Sequence, residues 1–563
     1  MNSSYRLKKW GFLFLVPFIF LNCGGGGDSS SQKTSSNAPT DRVDNNDEFE
    51  QEEYRGLVFY KQNIPSSNYT LKQLSNTSFN ALSDAKKLQV ADKILSTFFF
   101  SYPLETLQSK IKSGDFIDMI RASLNEDKTD KGEIENHIVD KDIFQQTDYN
   151  EQVAVDILTR FYAMKELDSY FVKNWVSYIL TQTIMFSPAY ELDSTHTPNI
   201  ARVYNRIVRM LEVDSGMRYI AYVHMSSEDN WRRFRSPEDN GREMLEIFTL
   251  DMDDSHVPLA GKALQNWKLD RDHDTLVVSL NENRTPIKLF NTTIYNGDDF
   301  YREMAKSDAF TKGVTTRLVH FFFPNSTSIK QNSIVNSIVK SNPETWEDIL
   351  LQIVFSEEYL LKSSRGKSAE ELFFPLSKKF NFKHRMSTFH DFKRSLEKMH
   401  QASMKYKLGK LQRVPLDTLS FAYYHKYIRE EMLLRISNSS KIDDYNAWDR
   451  QGWSQDFISN GKFNFDEYDG VKSLESLINY LFQSMISRNA KSSEMALFKN
   501  HMLRNKSETN TTKILDDRFN LTTRRDDLED EKKRRESRKV NIAVIVLDYI
   551  SRLSETYTLK EVK

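Results

Sequence analysis

The chain carries one cysteine, Cys23, among 563 residues. That excludes a disulfide within the chain and any zinc or iron–sulfur centre built on several thiolates. Glycine (18) and proline (13) are scarce, which disfavours collagen-like chains, glycine-rich repeats and turn-dense all-β folds. Neither sign of charge predominates: 78 Lys+Arg against 79 Asp+Glu leave a net charge of −1. Such a balance gives no global electrostatic footprint for nucleic acid, and nucleic acid is not an expected partner. No apolar run approaches the ~20 residues that a bilayer core demands. Also missing are the phosphate-binding loop G-x-x-x-x-G-K-[ST], the dinucleotide fingerprint G-x-G-x-x-G, the nucleophile elbow G-x-S-x-G and the zinc helix H-E-x-x-H. Ser/His/Asp and carboxylate chemistry stay open, because their partners need not be neighbours in sequence. No cofactor is indicated.

What the chain has instead is helical periodicity. With 39% hydrophobic and 28% charged residues it can bury a core, and its length suits about three or four domains or one large helical body. Leu88, Ala91, Leu95 and Phe98 share one helix face, and Val153, Ile157, Phe161 and Met164 repeat the spacing. Leu474, Leu477, Ile478, Leu481 and Phe482 make another stripe, and Ile542 to Leu553 a final helix. Asn342-Pro343-Glu344 offers a cap, a first-turn proline and an acid ahead of Trp346 and Ile349. Leu276–Leu280 and Ile287–Phe290 are β-prone and predict one small hairpin. The expected fold is mainly α, a multi-helix bundle body with a small β-hairpin insertion.

The N-terminus predicts export. Arg6, Lys8 and Lys9 precede the twelve apolar residues Trp10–Leu21, about 18 Å of helix, which reads as a secretory signal and not a membrane span. The run ends Phe20-Leu21-Asn22-Cys23-Gly24. That ending resembles a bacterial lipobox of the relaxed spirochaete type, with Asn22 where a small residue is usual. The resemblance implies that Cys23 is acylated and holds the protein to a lipid bilayer outside the cytoplasm. Gly24 in place of Asp after the cysteine resembles the outer-membrane sorting pattern. Residues 1–22 are then the signal peptide and 23–53 a flexible polar tether. Residues 54–360 form an N-terminal helical region, and 361–563 a C-terminal one with a polar, charged segment at 505–539.

Polar chemistry concentrates between Gly241 and Asp299. Glu243 and Glu246 lie one helical turn apart beside Arg242. Asp251, Asp253, Asp254 and His256 follow, then His273 and Asp274. Glu243, Glu246, His273 and Asp274 are the catalytic candidates, and His256, His273 and Asp274 the metal candidates, since hard cations want converging carboxylates and imidazole suits transition metals. The same residues serve equally as caps, turns and surface ion pairs. Trp231-Arg232-Arg233-Phe234-Arg235 is a basic–aromatic cluster. With Arg242, its Arg232, Arg233 and Arg235 are candidates to grip an acidic group through guanidinium forks. Ser356-Glu357-Glu358-Tyr359 and Ser554-Glu555-Thr556-Tyr557 echo one another, a faint sign of duplication.

The segment 237–299 is similar to the signature of the bacterial domain-of-unknown-function family 1800. Arg242, Glu243, Glu246, Thr249 and Leu250 match its first part, Trp267 its helix end, His273-Asp274 its pair and Asn296-Gly297-Asp298-Asp299 its turn. Pro237 and Asp239 stand where the family usually has Asn, and Phe248 where it has His. Phe171-Val172-Lys173-Asn174-Trp175 resembles a degenerate form of a histidine-bearing family helix. The resemblance implies an exported helical protein and no particular reaction. The expected role is an uncharacterised cell-envelope lipoprotein that binds or scaffolds, with an envelope protein or glycan as partner. The alternative is a metal-assisted or carboxylate-dependent hydrolase of envelope or extracellular polymer.

Overall fold

The computed structural model describes residues 49–54, 57–62, 69–136, 157, 160–185, 200–231, 234, 236–270, 275–380, 418–428, 471–503, 542–543 and 545–562. The stretch expected to be a signal peptide, Cys23, most of the expected tether and the segment 505–539 lie outside them. A hairpin of β1 (Phe49–Tyr54) and β2 (Leu57–Gln62) takes up the last residues of the stretch expected to be tether.

Helices follow: α1 (Asn76–Asn80), α2 (Asp84–Thr97), α3 (Leu104–Lys112), α4 (Phe116–Ser123), α5 (Lys131–Asn136), α6 (Ser169–Thr183), α7 (Ile200–Glu212), α8 (Met217–Met225) and α9 (Glu228–Trp231). Next come α10 (Pro237–Met244), a π turn (Leu245–Thr249), α11 (Val257–Ala263), α12 (Gly297–Lys306), α13 (Asp308–Phe322), α14 (Ser328–Lys340) and α15 (Trp346–Val354). The C-terminal part has α16 (Ala369–Lys379), α17 (Thr418–Tyr427), α18 (Leu474–Ile486) and α19 (Ser492–Leu503). The protein is a multi-helix bundle with small two-stranded insertions, as the periodicity predicts. Leu88, Ala91, Leu95 and Phe98 are all buried, as are Ile157, Phe161 and Met164 and the whole Leu474–Phe482 stripe.

The bundle is built around α6, whose residues are buried almost all round. Asp168 caps its start by accepting from Phe171 N at 2.9 Å, and also holds the amides of Lys128 and Thr129. Trp175 packs on Phe98 at 4.7 Å between ring centres and donates its indole N–H to Thr97 O at 2.7 Å. The run Phe98-Phe99-Phe100 ends α2 in a Schellman motif: Phe100 N bonds Leu95 O and Phe99 N bonds Ser96 O, each at 2.9 Å. Phe99 sits at φ +60°, where glycine is usual. Left-handed backbone costs a side chain about 1–2 kcal/mol. The ring offsets that cost by packing edge-on to Phe161 and Tyr178, both at 5.4 Å.

Three local expectations are corrected. The two β-prone runs do not pair with each other: β3 (Trp267–Asp270) pairs with β4 (Thr275–Val278), and β5 (Ile287–Leu289) with β6 (Thr292–Ile294). The reason is turn chemistry. Phe290 and Asn291, at φ +54° and +56°, make a tight two-residue loop. Meanwhile Asn283 donates to Thr285 O and Tyr295 O, folding the intervening segment on itself. Asn342 does not cap α15. It stands at φ +52° closing α14, its N–H on Val339 O, and Thr345 forms the capping box with Asp348. The final helix stops at residue 550, and 551–553 form a turn.

Small residues set the closest helix crossings. α13 passes the π turn at Gly313, where an added Cβ would overlap the carbonyl oxygen of Phe248 and lie 2.9 Å from Thr249 Cα. Both obstacles are backbone and cannot rotate away. Gly313→Ala is expected to lower unfolding free energy by about 3 kcal/mol in urea titration, while alanine at the exposed Asn332 of α14 changes it by under about 0.5 kcal/mol.

Candidate functional site

The signature segment folds as a caged turn. Ser236 caps α10 by accepting from Asp239 N, and Pro237 occupies the first turn, where its missing N–H is harmless. Gly241 admits α11, since a Cβ there would meet Ala260 Cβ at 2.6 Å. α10 then widens into the π turn, which Leu250 closes at φ +57°. Helix ends leave carbonyls without partners. Arg317 of α13 reaches across to supply them, its Nε donating to Ile247 O and its Nη2 to Glu246 O, both at 2.6 Å.

The predicted residues distribute as follows. Arg242 forms an ion pair with Asp254 at the surface. Glu246 is half-buried. Burial and the neighbouring Glu243 raise its carboxyl above the usual 4.5, and Arg242 and Arg317 oppose them only in part. His256 is buried at the start of α11. Its Nδ1 is 2.6 Å from Asp251 Oδ2 and its Nε2 4.0 Å from Asp253 Oδ2. Those aspartates also bend the backbone, Asp251 accepting from Asp253 N and Asp253 from Ser255 N. Among the described residues no three His, Cys, Asp or Glu side chains converge as a metal site requires. His273 and Asp274 lie outside the described residues, as do Arg232, Arg233 and Arg235. The aromatic members of that basic cluster are core: Trp231 stacks on Trp267 at 5.9 Å, and Phe234 is buried.

The turn Asn296-Gly297-Asp298-Asp299 starts α12. Asn296 accepts from Asp299 N, and Asp299 accepts in return from Tyr295 N. Asp298 takes the hydroxyl of Tyr222 and pairs with Arg302. Gly297 lies under the Trp267 indole, where a side chain would collide with the ring. Asn174 of the degenerate motif accepts from Tyr204 OH at 2.6 Å and is buried. A shallow hollow of about 380 Å³ opens beside Arg206, Ser226, Ser227, Glu228 and Asp229. Arg206 spans it, bonded to Asp229 and Ser227.

A second concavity went unread in the sequence. β7 (Arg365–Gly366) pairs with β8 (Thr558–Leu559) near the end of the chain, and α2, β7, β8 and the end of α18 wall a cleft of about 260 Å³. Behind it, Arg365 forks onto both oxygens of Glu371, at 2.8 and 2.5 Å, and donates to Tyr359 OH. Lys379 pairs with Asp92 at 2.5 Å. Lys93 donates to Ser363 O at 2.7 Å and Lys560 O at 3.1 Å. Burial, helped by Arg365, pushes the Lys93 amine down to about 7. Burial pushes the Lys367 amine down to about 8, with Asp92 opposing. The one sequence signal was the Ser-Glu echo, whose two copies flank this region: Tyr359 bonds Arg365, and Tyr557 O receives Lys367 N.

The fold thus defines a large mainly α-helical protein in which a glycine-packed turn and a lysine-lined cleft are separate features. Compared with protein-family models, with curated proteins and with solved structures, the chain matches none.

Arg317→Met should cost about 2 kcal/mol of stability, because two partly buried carbonyls lose a charged donor. Chemical denaturation checks it. Glu246→Gln tests the raised carboxyl. Below pH 4.5 both folded and unfolded wild type hold the proton and the variant gains nothing. As pH rises past 4.5 the unfolded carboxyl ionises first and wild-type stability falls until the folded one follows. The variant's advantage over wild type should therefore grow with pH through that window, read as paired Tm values. A flat difference would remove the raised ionisation.

Proposed function

We propose that this chain is a cell-envelope lipoprotein, acylated at Cys23, held on the non-cytoplasmic side of the outer membrane, and acting by binding or scaffolding an envelope protein or glycan. The observation that carries the binding role is the use made of the signature residues. Asn296, Asp298 and Asp299 cap and brace α12, Arg242 pairs with Asp254, and Arg317 holds the π-turn carbonyls. Groups locked to backbone and to each other build a rigid scaffold; they are not poised for proton transfer to a substrate. On this reading the likeness to family 1800 is a likeness of scaffold.

The anchor rests on the sequence of the leader: a short apolar run too brief to span, ending at the one thiol of the chain. Among the described residues no helix is long and apolar enough to cross a membrane. Two or more acyl chains supply stable attachment where a single one does not. In cells fed an alkyne fatty acid, the full chain should take up label and partition into detergent, with Cys23 as the first residue of the mature protein. Cys23→Ser should lose label and detergent partition together. Unchanged partition of the variant would overturn the anchor.

A competing reading, the carboxylate-dependent hydrolase, has one observation in its favour: the raised carboxyl of Glu246 beside Glu243. It requires hydrolysis of an envelope polymer by the purified chain that falls at least about 100-fold in Glu246→Gln, the span that general acid–base catalysis contributes. Polymer that is retained without turnover supports binding.

A further inference from the structure

The cleft between α2, β7 and β8 has a surplus of buried positive charge. Lys93, Lys367 and Lys379 are 3%, 6% and 6% exposed, and the one buried carboxylate among them, Asp92, is engaged by Lys379 at 2.5 Å. Arg365 is matched by Glu371, and Arg488 on the cleft wall by Glu494 at 2.7 Å. Glu555, also on the wall, lies 3.4 Å from Arg488 and 3.5 Å from Lys560. Two ammonium groups have no carboxylate within ion-pair distance among the described residues; Glu561 on the cleft wall acts on Lys93, and Asp92 and Glu371 act on Lys367, at longer range. Lys93 donates to the hydroxyl and carbonyl of Ser363 and to Lys560 O, and its ammonium lies 5.0 Å from the centre of the Tyr359 ring. No hydrogen bond or ion pair among the described residues reaches the Lys367 ammonium, although its side chain is buried and lines the cleft.

Burying an ion without its counter-charge costs several kcal/mol, and buried charges in proteins are ordinarily paired. Evolution of a stable bundle would replace an idle buried lysine by an apolar residue of like volume. Two such lysines facing one solvent-connected opening make sense when something else brings the negative charge. At about 260 Å³ the opening is below the ~300–1,000 Å³ of pockets for drug-sized molecules, so the occupant is small. Ammonium groups are compact point charges that suit tetrahedral anions.

We propose that this cleft is a binding site for a small oxyanion of the sulfate or phosphate type, seated between Lys367 and Lys93. It stands on residues remote in sequence from the signature segment and is independent of the anchor at Cys23. The anion supplies a negative partner at short range and fastens α2 to Lys367, the residue that follows β7.

The test uses the full chain with sodium sulfate as probe, against sodium chloride at equal ionic strength. Sulfate should raise Tm in a saturable way, by on the order of 2 °C, as a ligand of the folded state does. Lys367→Met should lose the rise, and Lys340→Met, at an exposed position, should keep it. Should Lys367→Met fail to fold, protection in the wild type decides. Burial pushes the two amines down to about 7 and about 8, so at pH 8 a sizeable fraction of each is unprotonated and reactive toward acetic anhydride, and sulfate, which favours the charged form, should protect Lys93 and Lys367 while leaving Lys340 unprotected. A second arm with glycerol 3-phosphate separates the sources of the charge. Response to both probes assigns the site to phosphate or sulfate esters, and response to sulfate alone to the free anion. No saturable rise with either probe, a rise that survives in Lys367→Met, or equal acylation of Lys93 and Lys367 with and without sulfate overturns the proposal.

Discussion

A helix buried on nearly every side must place each of its polar groups against a partner, and α6 imposes that constraint on its neighbours. An unsatisfied buried donor or acceptor costs about 1–3 kcal/mol, so the positions of the surrounding elements follow from α6's bonds. Trp175 fixes the end of α2 through Thr97 O. Asn174 and Ser177 fix α7 through the hydroxyl and the carbonyl of Tyr204. Tyr178 fixes α16 through Glu370. One element thereby ties the N-terminal helices to the C-terminal part, and the aromatic nest of Phe99, Phe161, Phe171 and Tyr178 fills the space between. The polar residues of this helix serve fold specificity: Asn174 and Ser177 both spend hydrogen bonds on Tyr204.

The signature segment obeys a related rule. It packs tightly at Gly241 against Ala260 and at Gly297 against the Trp267 ring, and Gly313 of α13 meets the backbone of its π turn, where the carbonyls of Glu246 and Ile247 need a donor. The guanidinium of Arg317 is that donor, and it is held in place between α13 and the π turn. π turns often mark functional sites; here the turn also has a packing reason, since widening the helix lets Phe248 meet Phe310 at 6.1 Å, ring on ring. The Glu243–Glu246 neighbourhood is the electrostatic consequence: two carboxylates on the same face, one half-buried, beside two arginines already engaged.

Much of the helical fold was legible in the chain because amphipathic stripes such as Leu88–Phe98 and Leu474–Phe482 record which face turns inward. The hairpin pairing was not legible, because β-propensity finds strands without naming partners. Pairing depended on Phe290 and Asn291 accepting left-handed backbone and on Asn283 folding the segment after β4. Asn342 was misassigned because Asn serves helix ends of both kinds, and only the chain path shows that it closes α14. Of the site, the caps at Asn296–Asp299 were visible as local chemistry. Arg317 was not, since it lies about seventy residues from the carbonyls it binds and nothing near it marks the role.

By itself the sequence determined the class of fold, the inward faces of the helices and a lone thiol placed where an apolar run stops, because each depends on residues within one or two turns of one another. Only the tertiary structure decided which strands pair, which arginine completes the π turn and that Lys93 and Lys367 line one cleft while Lys379 takes Asp92. Those outcomes depend on groups brought together from distant parts of the chain, where burial makes every unmatched charge and every unpaired carbonyl count.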